Sequence, residues 1–434
     1  MEPAKKERIG WYFYDWANSA FITSVVTVFI GPYLTTIAQN AADKAGNLDI
    51  LGISVFNGSY FAYLVSLSVI LQVFLLPILG AIADKSNLKK HLLGIFAYIG
   101  SITTMCMFFL EGNKYLLGGF LFVVSNLCFG ASVVMYNAYL NDIAESEKRD
   151  SVSSIGWAIG YIGGGILLAL NLVLFSMKEK FGISIGMAVR INLCSAGVWW
   201  AIFTLIPMFT LKIRESANKE TINSSFLRSS FTQLIGTIKD SFNYPQTMLF
   251  LIAYLLYNDG VQAVITLSAQ FGQQEMGFSM STLTTVILMV QFVAFFGSLF
   301  FAFIAKKSNS KIAILITLFI WILIILYTYG FLKTEFQFYI LAAVIALVLG
   351  GSQALSRSLY SMVIPKGKEA EYFSLYEVSD KGTSWMGPLL FGISLQLTKS
   401  YRLGILSLGV FFVIGVILLI LFKMKVAIAK VNEV

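Results

Sequence analysis

The chain is 434 residues long, with 57% of them hydrophobic and 12% charged, about half the roughly 25% charge usual in globular domains. A soluble protein of this size has no interior large enough for so many Phe, Ile and Leu side chains, so the composition excludes a soluble class and marks an integral membrane protein. The formal charge of +8 is scattered over short segments between apolar runs rather than gathered in one patch, which excludes nucleic acid as a partner.

A helix needs about 20 mostly apolar residues to cross a bilayer. On that measure the sequence predicts twelve spans, near 15–39, 52–78, 91–110, 115–140, 152–175, 187–211, 247–271, 281–304, 311–332, 336–361, 371–398 and 401–424. Lys5, Lys6 and Arg8 precede a first run long enough to stay in the membrane, so it is not read as a cleavable signal. That run opens on an aromatic and polar stretch in which Asp15, Asn18 and Ser19 share one helical face at i, i+3 and i+4. An ionisable group inside a span is costly, so each is a functional candidate, with a polar tie between helices as the plainer reading.

Between spans two and three lies a short basic turn, GAIADKSNLKK, from Gly80 to Lys90. A near-copy recurs between spans eight and nine, where Ile304–Lys311 matches Ile82–Lys89 at six of eight positions. Such a repeat fixes architecture before any local reading and gives two related halves. Gly80 lets two helices approach closely. Asp84 is suited to face the positive N-terminal end of a helix, the one starting near Glu371 being the candidate. Lys85, Lys89 and Lys90 complete a cytoplasmic gate, and Lys89 and Lys90 are expected to meet anionic headgroups. Lys306 replaces Asp84 in the second copy, so the two turns cannot make the same contact.

Span four carries Asn126, Asn137 and Asn141 and ends on Asp142, which joins the gate. Span five is crowded by Gly156, Gly160, Gly163, Gly164 and Gly165, small residues that allow close helix contact. It resembles the glycine-rich motif of some antiporters, but Tyr161 stands where that motif has proline, so antiport is not inferred. The loop at 212–246 starts polar and then sets Leu227, Phe231, Leu234, Ile238 and Phe242 at helical spacing. That pattern predicts an amphipathic helix, either lying on the membrane or capping the bundle. Span seven repeats polar residues every four positions, at Tyr254, Asn258, Gln262, Thr266 and Gln270, with Asp259 and Gly260 beside them near midplane.

Span ten has two columns, Ser352-Ser356-Tyr360 and Gln353-Arg357-Ser361. Arg357 is read as a pathway or gate residue, against snorkelling to headgroups. Span eleven brings Glu377, Asp380 and Lys381, then Gly382, Gly387 and Pro388, which predict a kink. Lys381 is expected to face a carboxylate, with Asp259, Asp380 and Glu377 as candidates; paired opposite charges of this kind match an ammonium and a carboxylate. Cys106, Cys128 and Cys194 lie in apolar runs with no metal spacing and read as small core residues. The single histidine, His91, reads as solvated or facing headgroups. With no nucleoside-triphosphate loop, no paired His and no Ser with a His partner, neither an enzyme, a cofactor nor a metal site is expected.

With both termini in the cytoplasm, 23 of the 31 Lys and Arg fall on the cytoplasmic side, the exceptions being Lys44, Lys114, Lys178, Lys180, Arg190, Lys333, Lys399 and Arg402. The positive-inside rule favours that arrangement. The expected fold is therefore an all-α integral membrane protein of twelve transmembrane helices in two six-helix pseudo-repeats. Its divisions are an N-terminal half at 1–211, a linker at 212–246 and a C-terminal half at 247–434.

Two repeated six-helix halves resemble the plan of the major facilitator superfamily, where the solute site lies near midplane. The turn with Gly80, Asp84, Lys85, Lys89 and Lys90 resembles that superfamily's gating signature. YDWANSAF (Tyr14 to Phe21), YNAYLNDIA (Tyr136 to Ala144), GYIGGG (Gly160 to Gly165), YNDGVQ (Tyr257 to Gln262) and GGSQALSRSLY (Gly350 to Tyr360) are similar to one branch of it, the vacuole-effluxer-like family. Asn141 stands where that branch has proline before the aspartate. The resemblance implies a secondary transporter of amino acids or other small polar solutes, working by alternating access, and the expected location is the plasma (inner) membrane. The expected partners are a small-molecule solute, protons as candidate coupling ion, and membrane lipids, for a monomeric chain. Its pathway residues are Asp15, Asn18, Asn137, Asn258, Asp259, Gln262, Gln353, Arg357, Glu377 and Lys381. The alternative from another class is a non-transporting receptor or lipid-handling protein on the same scaffold.

Overall fold

Each apolar run becomes a helix, and polar caps set where several of them start. The structure, a computed structural model, describes residues 3–50, 52–85, 88–143, 149–213, 240, 242–364, 372, 376 and 384–432. The first run is one continuous helical rod in three parts: α1 (Pro3–Ala20), a π-helical stretch (Phe21–Phe29) and α2 (Ile30–Ala41). In the π stretch the Ile30 N–H donates to Val25 O and the Thr27 hydroxyl to Ile22 O, both five residues back. A small antiparallel hairpin follows, β1 (Asn47–Ile50) and β2 (Ile53–Phe56), with Asn47 opposite Phe56. Then come α3 (Asn57–Lys85), α4 (Lys89–Cys106), α5 (Tyr115–Ile143), α6 (Arg149–Ser176) and α7 (Ile185–Thr210). The second series is α8 (Pro245–Gln274), α9 (Met280–Lys307), α10 (Ser310–Gly330), α11 (Glu335–Met362), α12 (Met386–Thr398), α13 (Tyr401–Leu421) and a terminal α14 (Met424–Asn432).

The boundaries follow from capping chemistry. Ser184, Asn309 and Ser400 each accept the N–H of the residue three on, starting α7, α10 and α13. Thr334 and Gln337 make a reciprocal capping box at α11, and Pro245 opens α8 where its missing N–H costs nothing. Among the described residues, ten helices are long and apolar enough to cross a membrane, and two shorter ones, Met280–Ala294 and Met386–Thr398, stand at spans eight and eleven. The Gly387-Pro388 pair lies in the first turn of α12, a tolerated position for proline, rather than at a kink within a described helix.

The chain divides into two compact units: the described residues up to 213 with Ser279–Thr285, and those from 240 to Phe278 and from Val286 onward. In the first unit α1 packs on α6 and α7, α4 on α5 and α7, and α3 on α5. In the second, α8 packs on α13, and α10 on α11 and α13. The pairings α1–α7, α4–α5 and α4–α7 thus recur as α8–α13, α10–α11 and α10–α13, the repeat written in packing. The predicted amphipathic helix lies outside the described residues except for Phe242, as do Glu377, Asp380 and Lys381.

Two of the basic residues expected outside the cytoplasm are helix clamps. Arg402 donates to the carbonyls of Thr328, Tyr329 and Leu332 at the end of α10 and pairs with Glu275 at 2.7 Å. Arg190, near the start of α7, pairs with Glu111 at 3.3 Å and lies over the Phe108 ring. Cations suit the negative C-terminal end of a helix, which explains their departure from the charge asymmetry. Lys311 does the same on the other side, donating to Ile420 O and Phe422 O.

Lys89, the counterpart of Lys311, corrects one expectation. It does not reach toward headgroups: its ammonium pairs with Asp142 at 2.8 Å, donates to Ala138 O and sits over the Tyr139 ring. A carboxylate and the last turns of the neighbouring α5 hold the ammonium instead. Gly80, Asp84 and Lys85 lie in the last turns of α3, Lys90 is half-exposed in the first turn of α4, and His91 is exposed beside it.

Candidate functional site

In the first unit the site grows from the aromatic opening of α1. Trp11 stacks on Tyr136 of α5 at 4.3 Å and 14°, and its indole N–H donates to Tyr136 O at 2.9 Å. So fixed, the Tyr136 hydroxyl donates to Asp15 Oδ2 at 2.7 Å. Asp15 is half-buried and makes no ion pair among the described residues. Glycines of α6 make room for it. A Cβ at Gly156 would lie 2.7 Å from the Trp11 ring and 3.0 Å from Asp15 Oδ2. At Gly163 it would lie 2.7 Å from Trp16 O, and at Gly164 2.7 Å from the Thr23 hydroxyl. Asn18 is buried with its Nδ2 unpartnered among the described residues.

Further along the same helical rod, the π stretch meets a second polar group. Asn171 of α6 donates to Ser24 at 3.0 Å and accepts from Ser195 of α7 at 3.1 Å. A π turn widens a helix locally and is frequent at functional positions; here it sits where α1, α6 and α7 share polar contacts. Asn137 is exposed on α5 beside Tyr136. Asn126 is not on this face: it donates to Ser68 at 2.8 Å and accepts through its backbone from Gln72, tying α3 to α5.

In the second unit Asp259 is 0% exposed. Its Oδ2 accepts the Gly387 N–H at 2.8 Å, while its Oδ1 has no partner among the described residues. The carboxylate therefore sits at the N-terminal end of α12, where an anion is favoured and where no side chain of α12 supplies a cap. Gly387 is required there, because a Cβ would lie 2.7 Å from Ala263 Cβ and 3.0 Å from Asp259 O. Asp259 makes no ion pair with Arg357, which is exposed on α11 one turn from the exposed Gln353 and pairs with no described carboxylate; Lys381, the expected cation, lies outside the described residues.

Around Asp259, Asn258 is buried and Gln262 half-buried, so the polar column of α8 faces mainly inward. Tyr257 shares a hydrogen bond with Ser356 of α11 at 2.5 Å, and Tyr254 stacks on Tyr376 at 4.3 Å. Sequence spacing missed Trp11 and Tyr136 as a support for Asp15, since they are far apart in the chain. Their one trace was the aromatic and polar opening of the first run, which holds Trp11, and the YNAYLNDIA motif, which holds Tyr136.

The family described as "Vacuole effluxer Atg22 like" matches residues 3–432. An uncharacterized MFS-type transporter of Bacillus subtilis strain 168, YxiO, is 31% identical over 423 residues, spanning 96% of this chain and 95% of its own length. Autophagy-related protein 22 of Eremothecium gossypii is 27% identical over 457 residues, spanning 94% and 89%. Among solved structures, the nucleoside transporter NupG superposes at TM-score 0.66 with 16% identity, over 99% of both chains. The inward-open xylose transporter XylE of E. coli does so at 0.65 with 11% identity, over 99% and 98%. At such identities these structures speak for the fold alone, and that fold is the major facilitator one.

Proposed function

The chain belongs to the family of Atg22-like vacuole effluxers, multi-pass membrane transporters of the major facilitator type, and we propose that it carries an amino acid by proton-coupled alternating access. The observation that carries this reading is a pair of membrane-embedded carboxyl groups, Asp15 and Asp259, neither facing a cation among the described residues. Burying a charge without a partner is costly, so each invites a positive species from outside the fold. Asp15 is half-buried and oriented by Tyr136, which suits the ammonium group of a solute. Asp259 is sealed, which suits a proton, the smallest cation.

Arg357 on α11 is exposed and in no ion pair with a described carboxylate. The relatives named autophagy-related protein 22 and the family's designation as effluxers agree with solute export. The presence of a bacterial relative among them supports a cell-membrane location, with both termini on the cytoplasmic side from the distribution of basic residues. The lysine cluster at the start of α4, with Lys89 held by Asp142, is the rigid part of the cytoplasmic gate.

A ligand that binds only the folded state raises its apparent stability. A thermal-shift screen of the purified chain against free amino acids, nucleosides and sugars tests the solute class. The reading expects shifts with amino acids, absent in Asp15→Asn. A shift with sugars or nucleosides alone, or one unchanged in Asp15→Asn, contradicts it.

A further inference from the structure

Beside Asp15, α6 presents an aromatic face that the site above leaves unused. The glycine seam of α6 presses against α1 at this carboxylate: a Cβ at Gly156 would lie 3.0 Å from Asp15 Oδ2, and one at Gly160 3.3 Å from Asp15 Cβ. The next residue after each glycine is aromatic. Trp157 and Tyr161 are 59% and 54% exposed, with ring centroids 6.0 Å apart and planes tilted by 39°.

The 3.6-residue repeat places both rings about 100° around the helix from the glycine seam. Ile155, Ile162, Ile166, Leu170 and Val173 are exposed too, but they fall roughly 40–120° to the opposite side of Gly156. So α6 has two exposed flanks of different chemistry. The aliphatic one is what acyl chains cover. The aromatic one adjoins a carboxylate whose Oδ2 is held by Tyr136 and whose Oδ1 makes no hydrogen bond among the described residues.

A carboxylate with one oxygen unpartnered among the described residues, on a helix seam flanked by two exposed aromatic rings, has the composition of an ammonium site. The negative charge attracts the cation, and the π faces receive its polarised C–H and N–H groups. Tyr161 supplies the second ring at the position where the related glycine-rich motif has proline. We propose that Trp157 and Tyr161, together with Asp15, form the subsite for the ammonium group of the transported solute. The solute is then recognised first as an amine, and its carboxylate is secondary. This rests on the transport reading and on Asp15 as the solute-facing acid.

The test uses the full chain in detergent and two matched probe sets. Amino-acid methyl esters keep the ammonium and mask the carboxylate; N-acetyl amino acids do the reverse. The expected result is calorimetric binding of esters and not of N-acetyl forms. Trp157→Leu and Tyr161→Leu each weaken ester binding about tenfold, and Tyr161→Phe restores most of what Tyr161→Leu loses. Because both side chains are exposed, the variants melt with the wild type, and melting is recorded in parallel. Binding of N-acetyl forms in place of esters, unchanged ester affinity in the Leu variants, or Phe and Leu behaving alike overturns the proposal. If the Leu variants also take up free amino acids like the wild type, this subsite alone falls and the transport reading stands. Failure of the wild type to bind either probe set and to take up any amino acid removes both.

Discussion

Tyr136 is the residue on which Asp15 depends, and its hydroxyl is the simplest group to remove. A hydrogen bond to a charged group is worth about 1.5–3 kcal/mol. Tyr136→Phe keeps the stack on Trp11 and loses only the 2.7 Å bond to Asp15. Solute affinity measured by calorimetry is expected to fall at least about tenfold, with melting lowered by a few degrees, for a bond of that worth; unchanged affinity would detach Tyr136 from the site. Asp259 admits a parallel comparison. Asp259→Asn keeps an acceptor for the Gly387 N–H, whereas Asp259→Leu orphans it at a cost of about 1–3 kcal/mol. The Leu variant is expected to melt several degrees below the Asn variant, and equal melting would show that the bond to α12 is not structural. Both carboxyls were legible in the sequence, because an acid inside an apolar run stands out. Their partners were not. Trp11 meets Tyr136 across 125 residues, and Gly387 contributes a backbone N–H, which every residue except proline carries.

At the scale of elements, the glycines of α6 separate packing from composition. Gly163 faces the backbone of Trp16 at 2.7 Å, while Gly165 has nothing within 4 Å of an added Cβ. A methyl forced against backbone costs about 1–3 kcal/mol, but alanine in open helix gains up to about 1 kcal/mol over glycine. Gly163→Ala should therefore lower the melting temperature and Gly165→Ala hold or raise it; the reverse order would contradict the α1–α6 contact. The Lys89–Asp142 pair is partly exposed, at 17% and 25%, so a double-mutant cycle is expected to give only about 0.5–1 kcal/mol. Sequence periodicity placed the helices closely, since long apolar runs and capping residues bound them. It could not find the π stretch, because Phe21–Phe29 reads as apolar in either register and the choice lies in packing against α6 and α7. The hairpin escaped as well: its strands are four residues each and run straight into an apolar span.

Over the whole molecule, the repeat first visible in two short basic turns reappears as paired helix contacts in both units. It also shows a division of labour that the turns concealed. Lys89 and Lys311 occupy matching places, yet one binds the end of α5 and the other the end of α13. Equivalent residues thus serve different clamps. Topology is checked by reporter fusions: both termini are expected to report from the cytoplasm, and opposite sides would break the six-plus-six reading. The central claim is proton-coupled movement of an amino acid, and uptake into proteoliposomes under an imposed pH gradient tests it most directly. The account predicts amino-acid accumulation above the external concentration with the gradient present, collapse of that accumulation with a protonophore, and its loss in Asp259→Asn, which still folds and exchanges solute. Accumulation that survives the protonophore, or full coupled transport in Asp259→Asn, would contradict it.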